Sequence, residues 1–183
     1  MIVILAGKTA SGKSTTAKLM EEKGFNRIVT DTTRPKRLGE IDGIDYNFRT
    51  VEEFEKLKTE GYYAEVAEYD ATFGHCYYGS SKKAYESEKD SVIVLNPYGL
   101  KMVLKNLSYN KNIISVYLSL PDDVLIKRLR KRGDKEEEIK RRIKHDNEDF
   151  KCMSKLCDYT LLLGEEDTEE EILNSVLNFV KTS

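Results

Sequence analysis

The chain has 183 residues, of which 39% are hydrophobic and 34% are charged, which suits one folded domain and excludes both a disordered chain and a membrane-embedded one. Its formal net charge of −2 gives no field that would attract nucleic acid, so a bound anion must be held by a local basic site. The three cysteines lack CxxC spacing, which argues against a disulfide framework or a structural zinc site and indicates a reducing cytoplasm.

The first elements predicted along the chain are a strand, a loop and a helix in direct succession. Residues 2–6 form an unbroken apolar run that is typical of a central strand covered on both faces. Good helix formers follow from Ser14 to about Lys23, and Gly24 stands where a helix C-cap belongs. Phe25 to Val29 predicts a second strand. Because Lys8 interrupts the apolar opening, that opening is neither a signal peptide nor a membrane span.

Residues 30–81 have a different pattern, with short segments rich in aromatic residues, glycine and charge. This pattern predicts an inserted subdomain, in which a capping box of Thr50 and Glu53 begins a helix. After the insertion, apolar runs alternate with helical segments, which indicates a parallel α/β sheet. The predicted strands are Ser91–Leu95, Ile113–Leu118 and Tyr159–Leu163, and the predicted helices are Pro97–Leu107, Asp122 to near Gly133, Glu136–Lys151 and a last helix capped by Thr168 and Glu171.

The strongest motif is a glycine-rich loop, residues 7–14, which matches G-x-x-x-x-G-K-[ST] between the predicted strand and helix. Its glycines let backbone N–H groups turn inward around a phosphate, Lys13 brings a full charge to the β and γ oxygens, and Ser14 is placed to bind Mg²⁺. We call residues 7–14 the phosphate loop. The predicted ATP site comprises Gly7, Lys8, Thr9, Ala10, Ser11, Gly12, Lys13, Ser14 and Thr15.

The residues that follow resemble the guanylate kinase family. Residues 32–48, TTRPKRLGEIDGIDYNF, are similar to that family's TTRxPRxGExxGxxYxF, although the proline here directly follows Arg34. The likeness continues to about Tyr159 through the segments Glu65–Glu68, Tyr77–Ser80, Arg128–Gly133 and Glu137–Arg142. The resemblance implies a P-loop kinase fold of the α/β class, in a single domain. Its expected parts are a parallel core (1–29, 91–121 and 152–183), an inserted mixed α+β monophosphate-binding subdomain (30–90) and a helical lid (122–151).

The acceptor site is predicted around two arginines. Arg34 and Arg37 are three residues apart beside a rigid proline, a spacing that can bring two guanidinium groups to one phosphate, with Tyr46 and Tyr78 as hydroxyl donors. The resemblance implies that Glu65 binds the edge of guanine, since a carboxylate can accept from N1–H and the exocyclic amine, which adenine cannot supply. The expected acceptor-binding residues are Thr30, Arg34, Arg37, Glu40, Tyr46, Glu65, Tyr78 and Ser80, although Glu40 alternatively only orients the arginines.

The resemblance implies phosphorylation of a nucleoside monophosphate by ATP, with GMP or dGMP as the expected acceptor and Mg²⁺ as cofactor. An acceptor phosphate is already an anion, so no general base is needed and charge neutralisation with alignment suffices. The catalytic residues are expected to be Lys13, Arg128, Arg132 and Arg142, of which the three arginines would close over the phosphoryl group as a lid that excludes water.

Several positions depart from the family pattern and keep alternatives open. Val94 and Asn96 replace two carboxylates, for which Glu68 is a candidate substitute; Leu161–Gly164 replaces a segment near the adenine of ATP; and Thr9-Ala10 stands where serine and glycine are usual. A kinase for another nucleoside monophosphate is therefore one alternative, and a non-catalytic interaction module is a second. The expected partners are small nucleotides, with neither nucleic acid nor membrane, in a cytoplasmic monomer or homodimer.

Overall fold

A computed structural model describes residues 1–71, 74–107 and 112–182. The strands are β1 (Ile2–Gly7), β2 (Asn26–Arg27), β3 (Asp31–Thr32), β4 (Asn47–Phe48), β5 (Tyr63–Ala71), β6 (Gly74–Ser81), β7 (Ser91–Val94), β8 (Ile113–Ser119) and β9 (Tyr159–Leu162). The helices are α1 (Lys13–Glu22), α2 (Val51–Thr59), α3 (Pro97–Leu107), α4 (Asp122–Lys131), α5 (Glu136–Asp149), α6 (Met153–Leu156) and α7 (Glu169–Thr182), and a 3-10 helix covers Lys82–Glu86.

The core is a five-stranded parallel sheet in the order β2-β7-β1-β8-β9, which confirms the predicted α/β class. All six residues of β1 are buried, because its side chains alternate between two apolar clusters. Val3 and Leu5 pack on the side of α1 and α7, whereas Ile4 packs on the side of α3. Both faces are therefore covered, and the carboxyl ends of the strands meet at one edge of the sheet, where ligands bind in folds of this kind.

The segment between β2 and β7 forms a second, mixed sheet in the order β4-β3-β6-β5. β5 and β6 pair as an antiparallel hairpin, and β3 pairs antiparallel to β6. The predicted capping box begins α2: Thr50 Oγ1 accepts the Glu53 N–H at 3.1 Å, and the Glu53 carboxylate accepts the Thr50 N–H at 2.9 Å. Phe54 of α2 is buried and stacks on Tyr63 of β5, with ring centroids 4.4 Å apart. The insertion is thus a small α+β unit with its own packing.

Helices α4 and α5 contact each other and cover the region predicted to be the lid. Helix α4 buries Val124, Leu125 and Leu129, but α5 buries only Ile139 along its length. Because little apolar surface anchors α5, its position depends mainly on polar contacts, and separating it costs little hydrophobic free energy. This is the property that a mobile lid requires.

Most predicted element boundaries agree with the structure, with small corrections. The second strand covers only Asn26–Arg27, because it lies at the edge of the sheet and pairs with β7 alone. Helix α5 ends at Asp149 rather than Lys151, where the Phe150 N–H closes the last turn on Asp146 O at 2.9 Å. Within the described ranges, no helix combines the length and the apolarity needed to cross a membrane.

Candidate active site

The phosphate loop connects the end of β1 to the start of α1 at the carboxyl edge of the core sheet. Gly7 is held too closely for a side chain, since a Cβ there would lie 2.4 Å from Ser11 Oγ and 2.9 Å from Leu118 O. Gly12 and Ala10 both have positive φ, 96° and 63°. Ala10 therefore adopts a conformation that costs an L-residue about 1 kcal/mol. The loop keeps its shape at this cost, which is typical of ligand-binding turns.

Within the described part of the chain, the hydrogen bonds of the Lys13 ammonium group go to neutral groups of the loop. Its Nζ donates to Lys8 O at 2.7 Å and to Ser11 Oγ at 3.3 Å. Burial lowers the pKa of Lys13 to about 8, although the charge of Asp146 opposes that shift. A desolvated ammonium group for which the described residues show no ion pair favours the binding of an anion.

A cavity of about 430 Å³ lies against the phosphate loop. Ser14 is exposed beside it. Its wall brings together the second half of the predicted ATP site, two of the arginines predicted for the lid and two carboxylates next to the start of the last helix. The lining residues are Ala10, Ser11, Gly12, Lys13, Ser14, Thr15, Thr16, Arg128, Arg132, Asp167, Glu169 and Ile172, whereas Gly7, Lys8 and Thr9 do not line it. The structure thus brings six of the nine predicted ATP-binding residues, Ala10 to Thr15, to one cavity with Arg128 and Arg132.

The first half of the phosphate loop is bonded to the lid. Lys8 Nζ donates to Asp122 Oδ1 at 2.7 Å and also to Asn147. The Lys8 side chain is therefore hydrogen-bonded to both α4 and α5. The Thr9 N–H donates to Asp146 Oδ2 at 2.6 Å. The sequence analysis did not identify Asp122, Asp146 or Asn147. A signal was present for Asp146, because it follows Arg142 by four residues and so lies on the same face of α5.

Arg34 is the buried centre of the predicted acceptor site, with 4% of its surface exposed. Its Nη1 donates to Glu40 Oε2 at 2.7 Å, a second bond joins Nη2 to Oε1, and its guanidinium carbon lies 4.8 Å from the centre of the Tyr46 ring. Burial alone would lower the pKa of Arg34, but the bonds to Glu40 outweigh it and raise that pKa. The Tyr78 ring meets Tyr46 edge-on at 6.0 Å. Arg34 is therefore fixed in orientation before any ligand arrives.

Glu40 supports the second reading of its role, that of orienting the arginines. Besides the bonds to the Arg34 side chain, it accepts the Arg37 N–H at 2.8 Å. Arg37 keeps solvent access, yet crowding by protein atoms and the charges of Arg34 and Arg142 lower its pKa. Positive groups from the insertion and from helix α5 therefore lie within electrostatic range of one another.

The lid arginines are held by acidic neighbours. Arg132 Nε donates to Asp134 Oδ2 at 2.6 Å, and Arg142 Nε donates to Glu138 Oε1 at 2.7 Å. Arg128 Nη1 reaches Ala10 O at 3.4 Å and so touches the phosphate loop. The three predicted lid arginines thus lie between the loop and Arg37, although Asp134 and Glu138 were not expected there.

Glu65 lies in a separate, buried polar group on the hairpin. It is 3% exposed, and Ser80 Oγ donates to its Oε1 at 2.6 Å. Burial raises the pKa of Glu65 to about 7, an effect that the hydrogen bonds from Ser80 reduce. Ser80 in turn bonds to the Tyr85 hydroxyl at 2.7 Å, a contact that the sequence analysis missed. Thr30 is buried at the entry to the same sheet, where its carbonyl accepts the Asn47 N–H at 3.0 Å.

The suggestion that Glu68 substitutes for a missing carboxylate is wrong. Glu68 is exposed and bonds to Lys58 of α2 at 3.0 Å, because residues three apart on a strand point to opposite faces. Asn96 also contributes to the fold, since its Oδ1 accepts the Gly99 N–H at 2.6 Å at the start of α3. Glu65 therefore has no second carboxylate from Val94, Asn96 or Glu68 beside it.

Comparisons with known proteins agree with this arrangement. The family model for guanylate kinase matches residues 1–182. The guanylate kinase of Helicobacter pylori is 31% identical over 183 residues, with 96% of this chain and 85% of the relative covered. That of Streptococcus thermophilus is 33% identical, with 97% and 85% covered. The crystal structure of guanylate kinase from Anaplasma phagocytophilum has a TM-score of 0.74 at 24% identity, with 100% and 85% covered. By its sequence, this chain belongs to the guanylate kinase family of nucleoside monophosphate kinases.

Proposed function

We propose that this protein transfers the γ-phosphoryl group of ATP to GMP or dGMP. The observation that supports it is that Arg37 lies within electrostatic range of Arg34, Arg142 and Arg132. Arg132 also lines the cavity beside Lys13, so the two predicted phosphate sites are neighbours. Arg34 and Arg142 already have carboxylate partners. The side chains of Arg37 and Lys13, for which the described residues show no ion pair, are therefore the cations that most need an anion. Two phosphate groups, one on each nucleotide, are the anions that match two such cationic sets.

The phosphate loop has the groups needed to bind the phosphates of ATP, and its Ser14 can bind the Mg²⁺ ion that accompanies them. The desolvated Lys13 and the inward-turned loop suit the terminal phosphates, and the exposed Ser14 hydroxyl is the predicted protein ligand of the ion. Within the described part of the chain, no three histidine, cysteine, aspartate or glutamate side chains are grouped as a metal cage would require. Mg²⁺ would accordingly be held by Ser14 and phosphate oxygens, and when bound it neutralises charge on the transferred group.

The protein's own contribution to the reaction is alignment and charge. Arg34, fixed by Glu40 and Tyr46, holds the acceptor phosphate in one orientation. Arg37 adds positive charge beside Arg34 at the acceptor phosphate. Arg132 and Arg142 would supply it to the transferred group, and Arg128 would supply it at the phosphate loop. Because the acceptor oxygen is already ionised, none of these residues has to remove a proton.

Guanine is the favoured base because Glu65 offers a buried carboxylate to it. An ionised carboxylate accepts hydrogen bonds from both N1–H and the exocyclic amine of guanine. Adenine presents an unprotonated N1 there and would leave the buried carboxylate unsatisfied. The replacement of two family carboxylates by Val94 and Asn96 favours, as a second candidate, a kinase for another nucleoside monophosphate.

The test is a coupled assay with ATP and Mg²⁺ against GMP, dGMP, AMP, CMP and UMP. We expect kcat/KM for GMP or dGMP to exceed that for AMP by about 100-fold or more, as for sites that read a hydrogen-bonding edge. Lys13→Ala should abolish turnover while the protein remains folded by circular dichroism. A preference for another acceptor would favour the second candidate, and absence of ATP binding by calorimetry would contradict both kinases and favour an interaction module.

A further inference from the structure

Three buried side chains form a hydrogen-bonded series beneath the base-binding carboxylate. They are Tyr85 on the 3-10 helix, Ser80 on β6 and Glu65 on β5, with 2%, 0% and 3% of their surfaces exposed. The Tyr85 hydroxyl lies 2.7 Å from Ser80 Oγ, and Ser80 Oγ lies 2.6 Å from Glu65 Oε1. Among the described residues, the only hydrogen bond shown for the Tyr85 hydroxyl is the one to Ser80.

The number of protons in this series sets its direction. Ser80 has one hydroxyl proton, so when it donates to an ionised Glu65 it must accept from Tyr85. If Glu65 were neutral and donated to Ser80 through Oε1, Ser80 would donate to Tyr85, and the Tyr85 proton would be left buried without an acceptor. If the Glu65 proton were on Oε2, the series would keep its direction, but Ser80 would donate to a neutral carbonyl oxygen, which is a weaker hydrogen bond than one to a carboxylate. An unsatisfied buried donor costs about 1–3 kcal/mol. The series therefore favours the arrangement in which every proton points toward an ionised Glu65.

We propose that Tyr85 is a positioning residue for recognition of the acceptor base, because it directs the Ser80 proton onto Glu65 Oε1 and so keeps the carboxylate ionised and fixed. This inference rests on the proposed function, in which the carboxylate must accept two hydrogen bonds from the base. Tyr85 itself is buried in the core and acts only through Ser80.

The second carboxylate oxygen, Glu65 Oε2, lies close to the backbone at the start of α3. Glu65 Oε2 faces the start of α3, where a Cβ added to Gly99 would lie 3.4 Å away from it. Because Asn96 Oδ1 is already used by the Gly99 N–H, the Asn96 side chain caps the helix at this point. With Oε1 held by Ser80, Oε2 is the oxygen left for the base edge in the proposed function.

The surroundings of Glu65 make this support necessary. Burial raises the pKa of Glu65 to about 7, so at neutral pH the free carboxyl group is close to half ionised. The titratable groups that interact electrostatically with it are Tyr85 from the 3-10 helix and Tyr69 from β5, and burial raises the pKa of both phenols, which leaves them neutral. Ser80 faces it from β6, and Asn96 lies at the start of α3. The 3-10 helix and α3 carry lysines, but what lowers the pKa of Glu65 against the effect of burial is its hydrogen bonding to Ser80, through the hydroxyl and the backbone N–H. The hydroxyl series is therefore a main stabiliser of the ionised form.

The experiment compares Tyr85→Phe with Tyr63→Phe as a matched control. Tyr63 is a buried tyrosine of the same subdomain whose hydroxyl donates to Asp31 at 3.0 Å and takes no part in the series. We expect Tyr85→Phe to raise the pKa of Glu65 by about one unit. This pKa is measured in the free protein by ¹³C NMR of the side-chain carboxyl group during a pH titration. At pH 7 this rise lowers the ionised fraction about fivefold. The KM for GMP should rise by the same factor, with kcat and the KM for ATP unchanged, and the acidic limb of kcat/KM should move to higher pH.

Two results would overturn the proposal: a Glu65 titration in Tyr85→Phe identical to the wild type, or an equal shift in Tyr63→Phe. If Tyr85→Phe does not fold, Ser80→Ala breaks the same series and should raise the same pKa. If Tyr85→Phe and Ser80→Ala both fold, the variant that carries the two substitutions should raise the pKa of Glu65 no further than Ser80→Ala alone. Additive shifts in that pKa would contradict the series. The NMR titration needs no substrate. A shift without GMP turnover in the wild type therefore refutes the proposed function alone, and turnover without a shift refutes the role of Tyr85 alone.

Discussion

The Asp146 carboxylate accepts a hydrogen bond from a backbone N–H of the phosphate loop. From this contact we predict the effect of Asp146→Asn on ATP binding. Its carboxylate accepts the Thr9 N–H at 2.6 Å and acts electrostatically on Lys13. ATP bound to the same loop would bring phosphate oxygens to within about 6 Å of that carboxylate, as the size of such a loop requires. Asparagine keeps the shape and the acceptor oxygen but removes the negative charge.

The magnitude follows from Coulomb's law. Two unit charges about 6 Å apart near a protein surface repel by about 3 kcal/mol at an effective dielectric constant of about 20. Asp146 is only partly buried, so solvent and salt reduce this to about 1–2 kcal/mol. A change of 1.4 kcal/mol is tenfold in affinity, so Asp146→Asn should bind ATP about tenfold more tightly.

The assay is isothermal calorimetry with MgATP at pH 7 and at two salt concentrations. Asp149→Asn is the matched control, because it removes the same charge one turn further along α5, from an exposed position. Its ATP affinity should change by less than about twofold. The gain in Asp146→Asn should shrink at high salt, since it comes from the loss of a repulsion. Unchanged or weaker ATP binding in Asp146→Asn would refute the reasoning and identify Asp146 as a support of the loop.

Three further predictions concern the loop and the acceptor site. Arg37→Ala should lower kcat/KM for the acceptor by about 10- to 100-fold in steady-state kinetics, as expected for a charge-assisted phosphate contact, while ATP affinity by calorimetry stays unchanged; unaltered acceptor kinetics would remove Arg37 from the site. Ala10→Gly should raise the free energy of unfolding by about 0.5 kcal/mol in urea titrations, because relief of the strain at a φ of 63° exceeds the added chain entropy; a lower midpoint would contradict it. Because burial lowers the pKa of Lys13 to about 8, ATP affinity should fall by up to tenfold per pH unit above pH 8 as the ammonium group deprotonates, and a flat calorimetric profile to pH 9.5 would exclude this.

The core of the fold could be predicted from the sequence because its signals are local. An unbroken apolar run, a glycine loop and a helix with Gly24 at its end determine β1 and α1, and the structure has them at Ile2–Gly7 and Lys13–Glu22. The capping boxes at Thr50 and Thr168 fixed the starts of two more helices, and both are formed. The edge strand β2 was predicted too long, since its extent depends on its partner β7 rather than on its own residues.

The candidate site was less accessible to sequence reasoning, because half of it consists of long-range pairs. The cations were visible through their spacing, as for Arg34 and Arg37, but their anionic partners lie far along the chain. Thr9 and Asp146 are 137 residues apart, and Lys8 and Asp122 are 114 apart. Tyr85 gave no signal, because a tyrosine in a short helix packs in the core far more often than it completes a polar series.

These acidic partners suggest how the lid can close without an opposing charge barrier. Arg132 and Arg142 are neutralised by Asp134 and Glu138, and the phosphate loop receives Asp146. In the free protein these carboxylates bond to groups that the proposed reaction assigns to nucleotide phosphates: the Thr9 N–H, Arg132 and Arg142. Substrate binding then exchanges one set of anions for another, and the net cost is the difference between two similar electrostatic terms. Since α5 buries little apolar surface, that difference, more than hydrophobic packing, should set the position of the lid.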